Sequence, residues 1–430
     1  MKIRRSALVG LVPAAGLLVM AGQASASGFQ LLEQNASGIG NAFAGSAAIA
    51  DNASTIHFNP AGMTRLQPRE FSVGLSLVRP SFKFRDGGSQ SGVLSGGTGD
   101  AGGWAALPNA YLSWALNRNI VLGIGLGAPF GLSTDYDDGW VGAAQSIEFD
   151  IKTYNINPSV AWRVNDRLSL GFGLNWQRMD AEYERAVSIA AVPLAATHAI
   201  LDADSDAWGW NVGLLYALSD ATRIGASYRS RIEHELKGDL DIRGPAAGAN
   251  PALAAGRARA DVELPETVII SAVHQLDTRW ELLGDLSWTG WSSVDAVDIM
   301  RTSGPLTGLT VQTLDADFKD TWRLAIGANY HVDDSWTLKF GIAYDQSPVR
   351  DRHRRLVALP DDDRTWLSLG AQWRPSRDAR LDVGLAYLYV PDTKIDNDQL
   401  SADPARNRGR VTGEYRSKVW LLGVQYSMAF

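Results

Sequence analysis

Apolar side chains recur at every second position along most of this chain. From Leu168 the even positions read Leu168, Leu170, Phe172, Leu174 and Trp176, with Ser169, Gly171, Gly173, Asn175 and Gln177 between them. Trp336, Leu338, Phe340, Ile342 and Tyr344 alternate with Thr337, Lys339, Gly341 and Ala343. The C-terminus repeats the pattern with Trp420, Leu422, Val424, Tyr426, Met428 and a terminal Phe430. A period of two predicts strands with one apolar face and one polar or very small face. A soluble sandwich shows the same alternation strand by strand, so other features must separate it from a membrane barrel.

Length comes first: the alternating runs hold nine to twelve residues or more, where globular strands run about 5–6 and tilted membrane strands about 9–11. Trp104, Trp162, Trp208, Trp280, Trp336, Trp373 and Trp420 fall near expected strand ends, where an interfacial girdle would lie. The connections alternate between short and long. Short turns are expected at 117–119, 165–166, 219–220, 277–278, 333–334 and 376–378, and long loops at 79–103, 133–146, 186–205, 238–260, 292–312, 347–361 and 391–414. Six turns and seven loops join fourteen strands. Short turns on one side and long loops on the other are the layout of an outer-membrane barrel. The expected fold is therefore all-β: a 14-stranded antiparallel transmembrane β-barrel, spanning residues 70–430.

Two stretches precede the barrel. Lys2, Arg4 and Arg5 lead into an apolar run from Ala7 to Ala21, and Ala24-Ser25-Ala26 offers a small-residue cleavage site. Residues 1–26 read as a signal peptide removed on export. Residues 27–69 are rich in Gly, Ala, Ser and Asn, yet carry Phe29, Leu31, Leu32, Ile39, Phe43, Ile49, Ile56 and Phe58. A solvated leader has no use for such anchors; a plug packed inside a lumen does.

Composition narrows the chemistry. The 430 residues include no cysteine, which excludes disulfide frameworks and thiolate metal sites or nucleophiles. Lys+Arg 40 against Asp+Glu 47, with no long basic block, argues against a nucleic-acid partner. The histidines at 57, 198, 234, 274, 331 and 353 are scattered, and no nucleophile elbow, P-loop or dinucleotide fingerprint occurs. No enzyme, cofactor or metal site is expected. Asp361-Asp362-Asp363 reads as a solvated acidic turn in preference to a cation site.

Gly28-Phe29-Gln30-Leu31, Ser37-Gly38-Ile39-Gly40-Asn41-Ala42, Ala48-Ile49-Ala50-Asp51 and Asn59-Pro60-Ala61 together resemble the N-terminal hatch of FadL-type long-chain fatty acid transporters. The likeness continues at Leu264-Pro265-Glu266, Trp288-Thr289-Gly290-Trp291-Ser292, Phe318 to Arg323, Asp345 to Val349 and Pro360 to Trp366. It implies a monomeric, plugged 14-stranded barrel in the outer membrane of a Gram-negative bacterium, in contact with its lipid and lipopolysaccharide. The implied cargo is a long-chain fatty acid, taken up passively by ligand-gated transfer. Related members handle aromatic hydrocarbons, and a general porin is the other class of reading. Gly28, Phe29, Asn59, Pro60 and Ala61 would form the moving part of the hatch.

A fatty acid tail of about fifteen methylenes offers on the order of 12 kcal/mol gross on burial, and its carboxylate needs a cation or several donors. Register places Met179, Tyr183 and Arg185 inward on one strand, and Lys319 and Arg323 inward on another. The resemblance assigns the carboxylate to Arg185 and Lys319; balancing lumenal acids such as Asp317 or Asp285 is the alternative role.

The wall itself has a suspected defect. Leu122, Ile124, Leu126, Ala128 and Phe130 read as outward, with Pro129 and Gly131 inward. Proline removes a ladder donor and glycine weakens a strand. On the next strand Ile147, Phe149 and Ile151 are odd while Tyr154, Ile156, Val160 and Trp162 are even, which suggests a bulge near 152–154. The resemblance makes Pro129-Phe130-Gly131 a kink at a lateral exit to the outer leaflet. Val187, Ile189, Val192, Leu194, Ile200 and Leu201 make one outer loop unusually apolar, either a first docking groove for tails or a packed lid. The Arg350, Arg352, Arg354, Arg355 cluster reads as solvated charge or a contact for lipopolysaccharide.

Overall fold

A computed structural model describes residues 28–304 and 306–430; the expected signal peptide lies outside the described residues. The main architecture is one closed antiparallel barrel of fourteen strands. In chain order these are β1 (Arg69–Asp86), β2 (Ala105–Ala115), β3 (Ile120–Gly127 with Gly131–Asp135), β4 (Glu148–Arg163), β5 (Leu168–Ala186) and β6 (His198–Ala217). Then come β7 (Thr222–Arg229 with Ile232–Arg243), β8 (Gly256–Leu264 with Thr267–Gln275), β9 (Trp280–Thr289 with Ala296–Arg301) and β10 (Thr310–Asp315 with Thr321–His331). Last are β11 (Trp336–Asp345), β12 (Arg364–Trp373), β13 (Ala379–Tyr389 with Thr393–Gln399) and β14 (Gly409–Ala429). β1 closes on β14 from Glu70↔Ala429 to Asp86↔Gly413, so no edge is left open.

The six short turns fall where expected, but the strands run further outward than the hydropathy pattern indicated. Residues 79–86, 198–205, 238–243, 256–260, 296–301, 393–399 and 409–414 belong to strands, not loops. On β6, Trp208, Trp210, Val212, Leu214 and Tyr216 face outward and are exposed, whereas Asp202, Asp204 and Asp206 continue the same face above them. Trp208 and Trp420 therefore stand in mid-strand, where the wall leaves the membrane. From Trp420 to Phe430, ten residue steps of about 3.3 Å each and a tilt near 40° span roughly 25 Å of apolar belt. Among the described residues no helix is long and apolar enough to cross a membrane, so strands make this crossing.

Chain 28–68 lies inside the barrel. Ala36, Ile39, Ala42, Ala48, Ala53, Ile56 and Ala61 are fully buried against the inner faces of the strands. Close approach explains the inward glycines. A Cβ on Gly370 would lie 2.8 Å from the Cα of Gly40, and a Cβ on Gly384 2.8 Å from the Cβ of Ile39. Polar lumenal side chains then hold the plug's backbone: Ser271 Oγ accepts from Ala47 N at 3.0 Å, and Tyr111 donates to Gln34 O at 2.7 Å. Asn59 is completely buried and joins both layers, donating to Ala47 O of the plug (2.6 Å) and to Leu214 O of β6 (2.9 Å). Its side chain also accepts from Ala61 N, capping the 3₁₀ turn Pro60–Arg65, with Pro60 in the first position where no donor is needed.

The predicted wall defect is real but sits on one strand only. β3 breaks at residues 128–130, and four residue steps from Gly127 to Gly131 oppose three from Asn155 to Lys152 on β4. β4 and β5 stay in one register from Glu148↔Glu184 to Arg163↔Ser169, so there is no bulge near 152–154. Ile147 and Ile151 are apolar and inward because the lumen there is apolar, with no change of phase. Phe130 is likewise inward and buried, not outward: the break turns its ring against Phe29 and Trp291.

Candidate functional site

The upper lumen holds an entirely apolar cavity of about 70 Å³. Leu132 on β3, Phe149 and Ile151 on β4, Tyr183 on β5, Leu201 on β6, Leu236 on β7 and Val262 on β8 form one side. Ile299, Leu314 and Phe318 close the other, and Leu359 comes from the connection before β12. Phe29 of the plug is its floor. That ring stands edge-on to Trp291 at 4.8 Å between centroids and 5.9 Å from Phe130. Trp291 in turn meets Phe318 at 5.8 Å. This aromatic partition separates the apolar cavity from a smaller one of mixed lining below it, where Leu31, Phe58 and Ile269 stand beside His57, Arg229 and Asp345.

Phe29 is held by its neighbours in sequence. Gly28 N donates to Asp361 Oδ2 at 2.9 Å, and Asp361 also accepts from Ser347 Oγ and pairs with Arg364. The acidic turn at 361–363 is not solvated as expected: Asp361 is buried and tethers Gly28 of the plug, and Asp362 pairs with Arg355. On the other side the plug pairs with the break in β3: Gly131 N donates to Phe29 O and Leu31 N to Pro129 O, both at 2.8 Å. Thr153 of β4 fills the gap, accepting from Phe130 N at 2.9 Å and donating to Phe130 O at 2.7 Å. Cavity floor, plug and wall break are one hydrogen-bonded unit.

Arg185 is buried at the outer end of β5, two residues beyond Tyr183 on the inward face. Its guanidinium donates to the carbonyls of Ala186 (3.0 Å), Val187 (3.3 Å) and Val311 (3.3 Å). Lys319 is half-buried beside Phe318, in the link between the two parts of β10, and its N–H donates to Pro348 O. The two predicted cations thus flank one apolar cluster from Tyr183 and Phe318. The acids proposed as their alternative partners are engaged elsewhere: Asp317 pairs with Arg350 and Arg354, and Asp285 accepts from Ser46, Ser271 and Ser287. Arg408, absent from the sequence expectations, is the near neighbour of Arg185. It is 8% exposed and donates to Val187 O at 2.5 Å. Nothing in its local sequence, Asn407-Arg408-Gly409, marks it out from other loop arginines.

The apolar residues of the outer loop split four ways. Val187 and Ile189 are buried in small clusters, Leu201 lines the cavity from β6, and Val192 is 67% exposed on the short helix Val192–Ala195. Leu194 and Ile200 are half-buried. Arg350 and Arg354 form ion pairs with Asp317 and Asp315, within the outer connections.

A closed barrel with an aliphatic belt, a plugged lumen and an apolar cavity at its outer end defines an outer-membrane transport barrel for hydrophobic substrates. Residues 17–430 match the family model described as outer membrane protein transport protein (OMPP1/FadL/TodX), and the chain belongs to that family. It is 31% identical to the long-chain fatty acid transport protein of Escherichia coli K12 over 97% of both chains. It is 30% identical to outer membrane protein P1 of Haemophilus influenzae, over 96% of this chain and 98% of that one. Its fold matches the crystal structure of a Pseudomonas aeruginosa FadL homologue with a TM-score of 0.83 at 24% identity, covering 93% and 99% of the two chains. The Ralstonia pickettii toluene transporter shares the fold at a TM-score of 0.65 and 19% identity, covering 94% and 99%.

Proposed function

We propose that this protein takes up long-chain fatty acids across the outer membrane by passive, ligand-gated transfer. The observation that carries the reading is the floor of the cavity. The cavity has no polar lining, and at about 70 Å³ it is far smaller than the roughly 300–1,000 Å³ of small-molecule sites. A tail enters only if something leaves, and Phe29 is the one lining residue that belongs to the plug. Moving Phe29 breaks its backbone pairing with Gly131, so filling the cavity loosens the wall break at Pro129, Phe130 and Gly131. The ligand then passes laterally beside that break. Asn59, Pro60 and Ala61 hold the plug to β6, and Gly28 holds it to Asp361; both ties set how far the plug shifts. Arg185 and Lys319 supply positive charge for the carboxylate, and Val187, Ile189, Val192, Leu194, Ile200 and Leu201 mark the apolar approach. The plug occupies residues 27–69 of an exported chain whose signal peptide is residues 1–26, and the barrel works as a monomer surrounded by lipid and lipopolysaccharide.

Small aromatic hydrocarbons are the second reading, favoured by the rings of Phe29, Phe149, Tyr183 and Phe318 around the cavity. The Ralstonia pickettii relative is named a toluene transporter. A general porin fits poorly, because side chains of the plug fill the lumen. The deciding experiment is equilibrium binding of palmitate and of toluene to the purified barrel and to Arg185→Ala/Lys319→Ala. Saturable palmitate binding that falls at least tenfold in the double variant supports the acid carrier. Toluene binding alone, equal in both proteins, would replace it with the hydrocarbon reading.

A further inference from the structure

Above the lipid belt the outward charges of the wall are sorted by side. On β5 and β6 they are mostly acidic, among them Asp180, Glu182, Asp202 and Asp204. Where β13, β14 and β1 meet at the closing seam, the same level is basic. Lys83 and Arg85 on β1, Lys394 on β13, and Arg416 and Lys418 on β14 are all exposed. Strand register sets Lys83 directly opposite Arg416, a like-charge pair that destabilises a sheet unless an anion joins it. The protein supplies little to do so. Arg416 lies 3.6 Å from Asp392 and 4.0 Å from Glu414. Asp100, beside β1, accepts instead from Ser81 Oγ at 2.7 Å and Phe82 N at 2.8 Å, and Asp86 accepts from Ser89. Among the described residues no carboxylate lies within 4.0 Å of Lys83, Arg85, Lys394 or Lys418. Exposed basic residues elsewhere on the wall are matched: Lys237 pairs with Glu235, Arg243 with Asp241 and Arg257 with Asp239. The arginine cluster of the outer loop, expected as a contact for lipopolysaccharide, is engaged too: Arg350 pairs with Asp317, Arg354 with Asp315, and the buried Arg355 with Asp362.

Height adds a second argument. Trp420 marks the top of the belt on β14, and Arg79, opposite it on β1, lies 5.8 Å from the centre of the exposed Trp104 ring. Lys418 and Arg416 follow two and four residues above Trp420. A rise of about 3.3 Å per residue and a tilt near 40° put them roughly 5 and 10 Å higher. Lipid head groups occupy roughly 5–8 Å beyond the hydrocarbon, and long basic side chains bend towards them. Directly below, Leu75 on β1, Leu385 on β13, and Leu422 and Val424 on β14 are exposed on the same face.

We propose that this basic seam is a binding site for the phosphorylated disaccharide head group of lipopolysaccharide. Lys83, Arg416 and Lys418 take its phosphates, Arg85 and Lys394 the acidic sugars above them, and the acyl chains lie on Leu75, Leu422 and Val424. Basic clusters at a membrane surface bind anionic head groups in this way. Two strand spacings of about 4.8 Å separate β13 from β1, so the cations spread over a width that suits two phosphates on one sugar pair better than a single phospholipid phosphate. The acidic face of β5 and β6 repels the same phosphates, which fixes the side of the barrel that the glycolipid occupies. The site is independent of which cargo the lumen carries.

The test is equilibrium binding of fluorescently labelled deep-rough lipopolysaccharide to the purified barrel in detergent, with EDTA present so that no divalent cation bridges it to the acidic face. Wild type is compared with Lys83→Gln/Arg416→Gln/Lys418→Gln and with Lys237→Gln/Arg243→Gln, whose cations are paired on another face. The triple variant should bind at least about tenfold more weakly, and the control should match the wild type. Dephosphorylated lipid A should compete at least about tenfold less well than intact lipid A. Undiminished binding by the folded triple variant overturns the site. Wild-type binding that is absent in EDTA also overturns it, because the contact then runs through divalent cations. Equal competition by phosphatidylglycerol overturns the choice of lipopolysaccharide and leaves a site for any anionic lipid. Heat-modifiable mobility on gels reports folding. If the triple variant does not fold, Lys83→Gln/Lys418→Gln is read in the same way, with undiminished binding again overturning the site.

Discussion

β5 and β6 each cross two different worlds without a break in phase. Below Trp176 and Trp208 their outward residues are aliphatic or aromatic and their inward ones are mostly Gly, Asn and Ser, with Leu215 the apolar exception. Above those tryptophans the polarity inverts. Arg178, Asp180, Glu182, Asp202, Asp204 and Asp206 point outward, while Met179, Tyr183, Leu201 and Ala203 are buried inside. The lower wall meets lipid outside and a hydrogen-bonded plug inside, so its side chains are greasy out and polar in. The upper wall meets water and head groups outside and encloses the apolar cavity. One pair of strands thus anchors the protein and helps to line its apolar cavity, and a strand's inward face is whatever its contents require.

The comparison breaks most visibly if a charge is moved between the two worlds. Val424→Arg puts a cation in the middle of the lipid belt, at an outward position 45% exposed. It should cost about 2–4 kcal/mol of folding stability in bilayers. Asp204→Arg, outward in the upper wall, should cost almost nothing, and reversible guanidinium unfolding in liposomes compares the two. Gly370→Val sharpens the account of the lower lumen. Its side chain would strike Gly40 of the plug, with an overpacking cost of about 1–3 kcal/mol. The plug should shift while the barrel survives, and single-channel recording should detect new ion conductance. In the upper lumen, Leu201→Asn introduces an unpaired amide into the cavity wall. Palmitate binding should weaken roughly tenfold, with the barrel's heat-modifiable mobility on gels unchanged.

The smallest effect concerns pH and the outer face of the upper wall. Strand pairing sets like charges opposite one another there: Asp135↔Glu148, Glu148↔Glu184, Asp150↔Glu182, Glu182↔Asp202 and Asp180↔Asp204. Lys152 reaches Asp150, Arg178 serves Asp180, Asp204 and Asp206, and His198 bonds Glu184. Burial first, then Glu182, Asp135, Asp150 and Glu184, push Glu148 up to about 7. Burial raises Asp135, Asp150 and Glu182 as well, and the bond to Glu184 raises His198. A raised folded value means the folded wall binds protons more tightly than the unfolded chain. Stability is therefore greatest below the ordinary carboxylate value of 4.5 for Glu148 and is lost as pH rises to about 7. Amide hydrogen exchange across 131–135 and 148–152, corrected for intrinsic rates, should be faster at pH 8 than at pH 5. Equal corrected rates would refute the like-charge account.

Much of this was legible in the sequence, and the misreadings share one cause. The turns, the strand count and the inward direction of Arg185 follow from alternation, which depends only on neighbours along the chain. The strand ends lie further out than alternation predicts, because outward Asp and Glu above Trp208 have the composition of a loop. The bulge expected near 152–154 is absent for the same reason: apolar residues of β4 turn inward where the lumen is apolar. Alternation carried through β3 predicts Phe130 outward, but the break adds one residue and turns it inward. The nearness of Arg408 to Arg185 leaves no trace in the sequence, since it arises only when the barrel closes.

The sequence by itself determined the barrel, its belt and the presence of a plug, because period-two alternation and small-residue composition are local properties. Only the tertiary structure decided which residues share the cavity. Its walls come from eight of the fourteen strands and its floor from Phe29. It also decided that Phe29 is bonded to the break in β3 and that two arginines 223 positions apart share one carbonyl. Closing the barrel brings those residues together, and no pattern along a strand carries information about what stands across the lumen.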